Sequence, residues 1–214
     1  MWNLPPADSV LHLLSWLALA AQAMTAALAA GRRSMDWMGV CLLGAITALG
    51  GGTLRDVLLG HYPLAWVERP SLLLLTVLAP FVTIAIARLV HRLTMAFLVL
   101  DAIGLVVFTI AGCDIAWQMN VPIGIVIVAG MITGCAGGVL RDILCNDVPL
   151  LFRAELYASV SLLTGLLYAG GLSLGLAGGI LTALSFAFGL AFRLLAIRYK
   201  WNMPRFVFTG EEQR

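Results

Sequence analysis

Long apolar runs separated by short polar segments dominate the sequence. The hydrocarbon core of a bilayer is about 30 Å thick and needs about 20 mostly apolar residues per helix. On that measure the sequence predicts seven membrane spans, at residues 9–30, 36–59, 70–90, 94–117, 121–145, 155–172 and 176–198. A short polar tail, 199–214, follows the last span. We therefore expect an all-α integral membrane protein with residues 1–214 forming a single membrane domain.

Composition supports the same class. Hydrophobic residues make up 61% of the chain and charged residues 11%, whereas a soluble domain carries about 25% charged residues. Membrane lipids are therefore expected partners. The basic residues are spread between the spans instead of covering one face, which argues against nucleic-acid binding. The four cysteines show no CxxC or Cys/His spacing, so neither a disulfide framework nor a metal site is predicted.

One segment of the chain occurs twice. Residues 44–63 and 130–149 align at an offset of 86, and ten of the twenty aligned positions are identical. The identical pairs include two adjacent glycines and an Arg-Asp dipeptide: Gly51/Gly137, Gly52/Gly138, Arg55/Arg141 and Asp56/Asp142. Adjacent glycines within an apolar run, followed by Arg-Asp, are improbable as a chance repetition, so we infer an internal duplication.

The duplication and the basic residues together predict a topology. With the N-terminus outside, 11 basic residues fall on the cytoplasmic side and 2 outside, Arg55 and Arg69. The positive-inside rule therefore predicts an outer N-terminus and a cytoplasmic C-terminus in the inner (plasma) membrane. Repeat 1, about 9–90, and repeat 2, about 94–172, contain three spans each. An odd number of spans inserts the second repeat in the opposite direction, which gives an inverted repeat with 176–198 as an extra helix.

The cytoplasmic count includes the following residues: Arg32, Arg33, Arg88, Arg92, Arg141, Arg153, Arg193, Arg198, Lys200, Arg205 and Arg214.

The glycine clusters are predicted to disturb spans 2 and 5. Gly50, Gly51 and Gly52 lie in span 2, and Ala136, Gly137 and Gly138 lie in span 5. Because glycine costs about 1 kcal/mol relative to alanine in a helix, we expect a kink or a short unwound segment. Backbone carbonyls freed there could coordinate a cation. The alternative is close helix packing through small residues.

Two threonines, Thr47 and Thr133, precede the glycines by about one turn. They are candidates for lining a polar path, and each could equally bond back to its own helix.

Ionisable residues within the spans are the other candidates. Arg55 and Asp56 are predicted near the outer end of span 2, and Arg141 and Asp142 near the inner end of span 5. Neighbours at i and i+1 do not face each other on a helix, so each arginine is expected to bond elsewhere. Either it anchors a helix end or it holds the broken backbone open and gates a pore. Asp101 lies within span 4 and is expected to meet an arginine or to attract a cation.

The doubled motif resembles the bacterial and archaeal members of the trimeric intracellular cation channel family, also catalogued under a glycine-transporter domain. Three segments carry the resemblance: Gly50 to Asp56, Ala136 to Asp142, and Phe108 to Gly112. The resemblance implies a homotrimer of seven-helix protomers, each with a pore lined by kinked helices 2 and 5 that passes monovalent cations, chiefly potassium. Gln22 stands where Phe108 stands in the second repeat, and Ser15 stands where the family usually has an acid like Asp101.

The leading functional interpretation is a potassium-permeable channel. The alternative is a secondary transporter of a small zwitterion such as glycine, with half-helix ends receiving its carboxylate and ammonium. A scaffold that does not conduct is the third reading. The sequence contains no catalytic grouping, so an enzyme is not expected. Beyond a permeant K+ or Na+ and bound lipid, no cofactor is expected.

Overall fold

A computed structural model describes residues 9–87, 93–153, 156–176 and 178–202 of the chain. Within these ranges the regular structure is entirely α-helical, which confirms the predicted class. The nine described helices are α1 Ser9–Arg32, α2 Trp37–Leu59, α3 Ala65–Glu68, α4 Ser71–Ala87, α5 Leu93–Gln118, α6 Ile123–Leu144, α7 Leu150–Arg153, α8 Tyr157–Ser173 and α9 Gly179–Tyr199.

Seven of these helices correspond in order to the predicted spans. Five of them, α1, α2, α5, α6 and α9, are long and apolar enough to cross a membrane. The other two, α4 and α8, have 17 residues each, somewhat fewer than the ~20 that a bilayer core needs. The short helices α3 and α7 lie in the connections that follow α2 and α6. A multi-pass helical protein is therefore confirmed, and the count of seven spans stays a prediction.

Several predictions fall outside the described residues. They concern positions 88–90 at the end of repeat 1, the connection with Arg88 and Arg92, and the tail from 203 with Arg205 and Arg214.

The core lies between α1, α5, α2 and α6. One face of α1 is built from fully buried alanines, and α5 contributes larger apolar side chains such as Leu105 and Ile110. Small side chains let helix backbones approach closely, which is the usual basis of helix association in a bilayer. Large apolar side chains on the outside, such as Leu42, Leu74 and Ile180, are exposed, as a surface that faces lipid requires.

The ends of α2 follow from local sequence. Asp36 precedes the helix, and its carboxylate accepts a hydrogen bond of 2.7 Å from the backbone N–H of Gly39. Gly60 follows the helix with φ of +67°, a left-handed conformation that glycine adopts without strain. These two residues fix the length of α2, and with it the positions of the glycines and of the Arg-Asp pair.

Candidate functional site

Helices α2 and α6 touch through two equivalent glycine contacts. A Cβ atom added to Gly51 would overlap the carbonyl oxygen of Thr133, and one added to Gly137 would overlap the carbonyl oxygen of Thr47. The two contacts are related by the offset of 86 and are reciprocal, because each glycine packs on the threonine four residues before the other. The backbones of the two helices therefore approach at a point where only glycine fits.

The structure corrects one expectation at these glycines. Both α2 and α6 are continuous helices through residues 50–52 and 136–138, so the unwound segment that the sequence suggested is absent. Close packing, the alternative interpretation, accounts for Gly51 and Gly137 because their hydrogen atoms face a neighbouring carbonyl. A kink that keeps the helical hydrogen bonds stays a prediction.

The other glycine-cluster residues differ in their surroundings. A Cβ at Gly50 would lie 2.7 Å from a methyl group of Leu140, whereas the aligned Ala136 is half-buried and carries its methyl. A Cβ at Gly52 would lie 3.8 Å from the guanidinium of Arg55. At Gly138 a Cβ would lie 3.1 Å from the Tyr157 hydroxyl. Gly138 therefore makes room for a polar cluster on its side of the bundle.

The two threonines are both buried. The Thr133 hydroxyl donates a 2.7 Å hydrogen bond to the carbonyl of Ala129 on its own helix, which is one of the two roles expected for it. Among the described residues the Thr47 hydroxyl has no hydrogen-bond partner. Thr133 also lines a cavity, described below, whose lining does not include Thr47. Of the two threonines, Thr133 is therefore the candidate for lining a polar path.

Arg141 lies at the centre of a buried ionic cluster. Its Nη1 donates hydrogen bonds to Asp101 Oδ1 at 2.8 Å and to the Thr25 hydroxyl at 2.9 Å. Its Nε donates to Asp142 Oδ1 at 2.9 Å, and its guanidinium lies 4.5 Å from the ring centre of Phe97. One arginine on α6 is thus joined to α1 and α5. An arginine partner was one of the two roles expected for Asp101.

The pair of neighbours Arg141 and Asp142 corrects a second expectation. Adjacent helical residues were expected not to bond, yet Arg141 contacts Asp142 at 2.8–2.9 Å and Arg55 contacts Asp56 at 2.7–3.0 Å. The Cβ directions of neighbours do diverge. An arginine side chain is long enough, however, for its guanidinium to fold back over the helix and meet the next carboxylate.

Two further residues complete the cluster around Arg141. Arg193 of α9 is fully buried, and its guanidinium lies 4.9 Å from the ring centre of Tyr157. Arg193 is one of the basic residues in the cytoplasmic count; in the structure it lies within α9 and is buried, and its side of the membrane stays a prediction. The carboxylates of Asp101 and Asp142 pair with Arg141, which limits the cost of burying its charge.

Arg55 on α2 has a simpler environment. Its Nε and Nη2 donate to Asp56 Oδ1 at 3.0 and 2.7 Å, and the side chain is 4% exposed. His61 Nδ1 lies 3.0 Å from the same carboxylate oxygen. Within the described ranges no hydrogen bond joins Arg55 to another long helix, in contrast to Arg141.

A cavity of about 220 Å³ lies beside Arg55. Its wall is mostly apolar and includes Trp16, Trp66 and Phe108, with Arg55 and Thr133 among its polar members. Thr133 also belongs to the contact between α2 and α6. The cavity therefore extends from the connection after α2 to the glycine crossing.

Sequence reasoning missed Thr25, Phe97 and Tyr157. A signal existed for Thr25, because it and Gln22 are the two polar residues in the apolar stretch 16–30. Polar residues are costly within a span and usually face a partner. Phe97 and Tyr157 carry no comparable signal, since aromatic residues are common in apolar helices.

Comparisons with known proteins identify a family and several relatives. A family model described as Glycine transporter matches residues 12–88 and again residues 98–173. An inner membrane protein of Escherichia coli K12, YadS, is 35% identical over 199 residues, which cover 91% of this chain and 96% of that protein. A membrane protein of Vibrio cholerae is 35% identical over 202 residues, which cover 94% of this chain and 84% of that protein.

A solved structure has the same fold. A trimeric intracellular cation (TRIC) channel orthologue from Rhodobacter sphaeroides superposes with a TM-score of 0.86 at 33% identity, over 90% of this chain and 99% of the other.

Proposed function

The chain belongs to the family described as Glycine transporter, and from this premise we propose that it is a membrane channel for monovalent cations, chiefly potassium. The channel assignment is supported by the likeness to the Rhodobacter sphaeroides cation channel over nearly the whole of both chains. The family description alone names a different activity, so the proposal depends on the fold match and on the geometry of α2 and α6.

We propose that the seven long helices all cross the membrane and that the two halves form an inverted repeat. The reciprocal contacts of Gly51 and Gly137 support this arrangement, because a twofold axis between α2 and α6 would produce them. Contacts between connections agree as well. Arg33, after α1, pairs with Asp147, after α6, and both are predicted to be cytoplasmic. Arg69, after α2, lies 3.3 Å from His12 near the start of α1, and both are predicted to be outside.

The proposed ion path runs from the outer cavity past the glycine crossing to the Arg141 cluster. The cavity supplies the outer part, and Thr133 marks the point where it meets α2 and α6. On the cytoplasmic side, Arg141 joins α6 to Asp101 of α5 and Thr25 of α1. This arrangement closes the path at its inner end. The single observation that carries the proposal is this combination of an open outer cavity and a charged inner closure on the fold of a cation channel.

Gating then requires that Arg141 exchange partners. Asp142 is on the same helix as Arg141 and can keep its contact when α6 moves, whereas the bonds to Asp101 and Thr25 cross between helices and must break. Asp101 would then face the path with a free carboxylate, which favours cations over anions. Arg141 is thus the gate, and Asp101 is both its closed-state partner and a cation-attracting group.

The protein is proposed to assemble as a homotrimer with one path in each protomer. The relative from Rhodobacter sphaeroides is described as trimeric. Membrane lipids are the expected partners of the exposed apolar surface.

Recording from purified protein in planar bilayers tests the function. With potassium gluconate at unequal concentrations on the two sides, stepwise currents should appear that reverse at the potassium equilibrium potential. Protein-free membranes and protein denatured before reconstitution are the controls. Absence of such currents under every voltage and pH tested would contradict the channel.

A second candidate is a transporter of a small zwitterion such as glycine. It is favoured by the family description and by the cavity, which presents Arg55 and the carboxylate of Asp114 in one wall. Saturable uptake of radiolabelled glycine into proteoliposomes, without unitary currents, would support it. Currents without saturable uptake would support the channel.

A further inference from the structure

The two Arg-Asp sites are copies of each other, but their surroundings differ. Arg141 has three partners from other helices: Asp101, Thr25 and Phe97. At the offset of 86 the residues corresponding to them are Ser15, Ala111 and Leu11. All three line the outer cavity together with Arg55. The cavity therefore occupies the place that a carboxylate, a hydroxyl and an aromatic ring fill in the second copy.

Arg55 is correspondingly short of partners. Its side chain is 96% buried, and the hydrogen bonds from its Nε and Nη2 both go to one oxygen of Asp56. Within the described residues its Nη1 makes no hydrogen bond, whereas Nη1 of Arg141 donates to Asp101. A guanidinium has five N–H donors and prefers a carboxylate in fork geometry. A buried arginine that lines a cavity with unused donors is a site for an acceptor.

We propose that the outer cavity binds a small organic carboxylate, whose carboxylate group occupies at Arg55 the position that Asp101 occupies at Arg141. The second copy shows that an arginine in this environment takes a second carboxylate beside that of its neighbour. In the first copy Ser15 is too short and uncharged to provide it. The ligand supplies the second carboxylate that no residue of the first copy provides at Arg55.

The walls define the rest of the ligand. Trp16, Phe108 and Leu72 make most of the surface apolar, so a ligand with a short hydrocarbon body gains from burial, at about 25 cal/mol per Å² of apolar surface. A strongly hydrated inorganic anion has no apolar surface to bury and therefore gains no such binding free energy in the cavity. The cavity of about 220 Å³ holds many times the ~10–15 Å³ that one water needs, and thus has room for several heavy atoms.

Three acids, Asp56, Glu68 and Asp114, line the same wall, and they do not prevent this binding. Asp56 is paired with Arg55, Glu68 is exposed to solvent, and Arg69 adds a second positive charge to the wall. Asp114 accepts hydrogen bonds from Tyr168 at 2.9 Å and from Gln118 at 2.7 Å, so donors already neutralise part of its field. The inference goes beyond conduction, because binding requires no ion flow.

Calorimetric titration of the full-length protein in lipid nanodiscs tests the proposal. Butyrate is the probe, and butyramide, of nearly the same shape but neutral, is its control. Wild-type protein should bind butyrate at least about tenfold more tightly than butyramide, which corresponds to about 1.4 kcal/mol. Equal affinities, or no heat from butyrate at tens of millimolar, would overturn the site.

Two variants locate the binding at Arg55. Ser15→Asp places the missing carboxylate in the cavity and should weaken butyrate at least about tenfold, while the uncharged Ser15→Asn should change its affinity by less than about threefold. Leu11→Phe fills the cavity as Phe97 does in the second copy and should weaken both probes. Butyrate binding that is unaltered in folded Ser15→Asp or in folded Leu11→Phe would overturn the proposal. Potassium currents from the same preparations report on the channel separately, so failure of either idea is recognised independently.

Discussion

Asp101→Asn is the sharpest perturbation of the proposed gate. In the wild-type protein Arg141 Nη1 donates a 2.8 Å hydrogen bond to Asp101 Oδ1. The substitution keeps the size of the side chain and an oxygen that can accept this hydrogen bond. It removes the negative charge. The buried guanidinium of Arg141 then pairs with one carboxylate, that of Asp142, where it had paired with two, so the closed arrangement loses stability.

The magnitude follows from the hydrogen bond that is weakened. A hydrogen bond to a charged group contributes about 1.5–3 kcal/mol and a neutral one about 0.5–1.5 kcal/mol. The difference is about 1–1.5 kcal/mol. It acts on the closed state only, because the bond between Asp101 and Arg141 crosses between α5 and α6 and breaks on opening in the proposed gate. That difference corresponds to a factor of about 5–12 in the ratio of open to closed channels.

Single-channel recording in symmetrical potassium measures this ratio directly. Open probability should rise by that factor in Asp101→Asn, and by a smaller factor in Thr25→Val, which removes only the neutral hydroxyl acceptor at 2.9 Å. Asp114→Asn is the matched control, because it neutralises an acid on the outer side that is bonded to Tyr168 and Gln118. Elution volume and thermal melting establish that each variant assembles. An unchanged open probability in assembled Asp101→Asn would refute the gate.

Three more outcomes are expected. Gly137→Ala should lower the melting temperature, because the added methyl group would meet a backbone carbonyl of α2. Gly124→Ala is the control in the same helix: no atom lies within 4 Å of its added methyl group, so it should be neutral or stabilising by up to about 1 kcal/mol. Equal melting temperatures of the two variants would contradict the close helix contact. Tyr157→Phe should change stability by less than about 1 kcal/mol, since in the described part of the chain that hydroxyl has no hydrogen-bond partner; a larger loss measured by chemical denaturation would show that it has one. In a background without native cysteines, Thr53→Cys should react with an impermeant thiol reagent added outside intact cells, whereas Ser34→Cys, at an exposed position after α1, should not. The reverse pattern would contradict the proposed orientation.

The sequence predicts most of the helices because their cause is local. Apolar runs of membrane length are separated by short connections that contain proline, asparagine and glycine, and Asp36 and Gly60 mark the ends of α2. The doubling of Gly51 and Arg55 as Gly137 and Arg141 also identifies the two helices that meet at the centre. These features need no knowledge of the third dimension.

The sequence does not show what the glycines and arginines touch. The low helix propensity of glycine suggested that residues 50–52 would unwind. In the structure the helix is continuous, and the glycines are required by packing instead. Only a hydrogen atom fits where Gly51 and Gly137 each meet a carbonyl group of the other helix. Likewise, the spacing of Arg141 and Asp142 gave no hint that a long side chain folds back onto its neighbour. Side-chain reach and helix crossing are properties of the assembled bundle.

The burial of Arg193 illustrates the same limit. An arginine close to the end of an apolar run is typical of a cytoplasmic helix anchor, and Arg193 was included in the positive-inside count for that reason. In the structure α9 packs against α8, and Arg193 lies over Tyr157. The count without it, 10 basic residues against 2, still favours a cytoplasmic C-terminus.

The most direct test of the ion path uses Thr133, which lies both in the cavity wall and at the contact of α2 with α6. Thr133→Cys, in a background without native cysteines, is recorded in a planar bilayer while a positively charged methanethiosulfonate is added on the outer side. If the ion path passes Thr133, the potassium current should be blocked irreversibly, with no effect on the cysteine-free parent. Undiminished current through channels that mass spectrometry shows to be modified at Thr133 would contradict it.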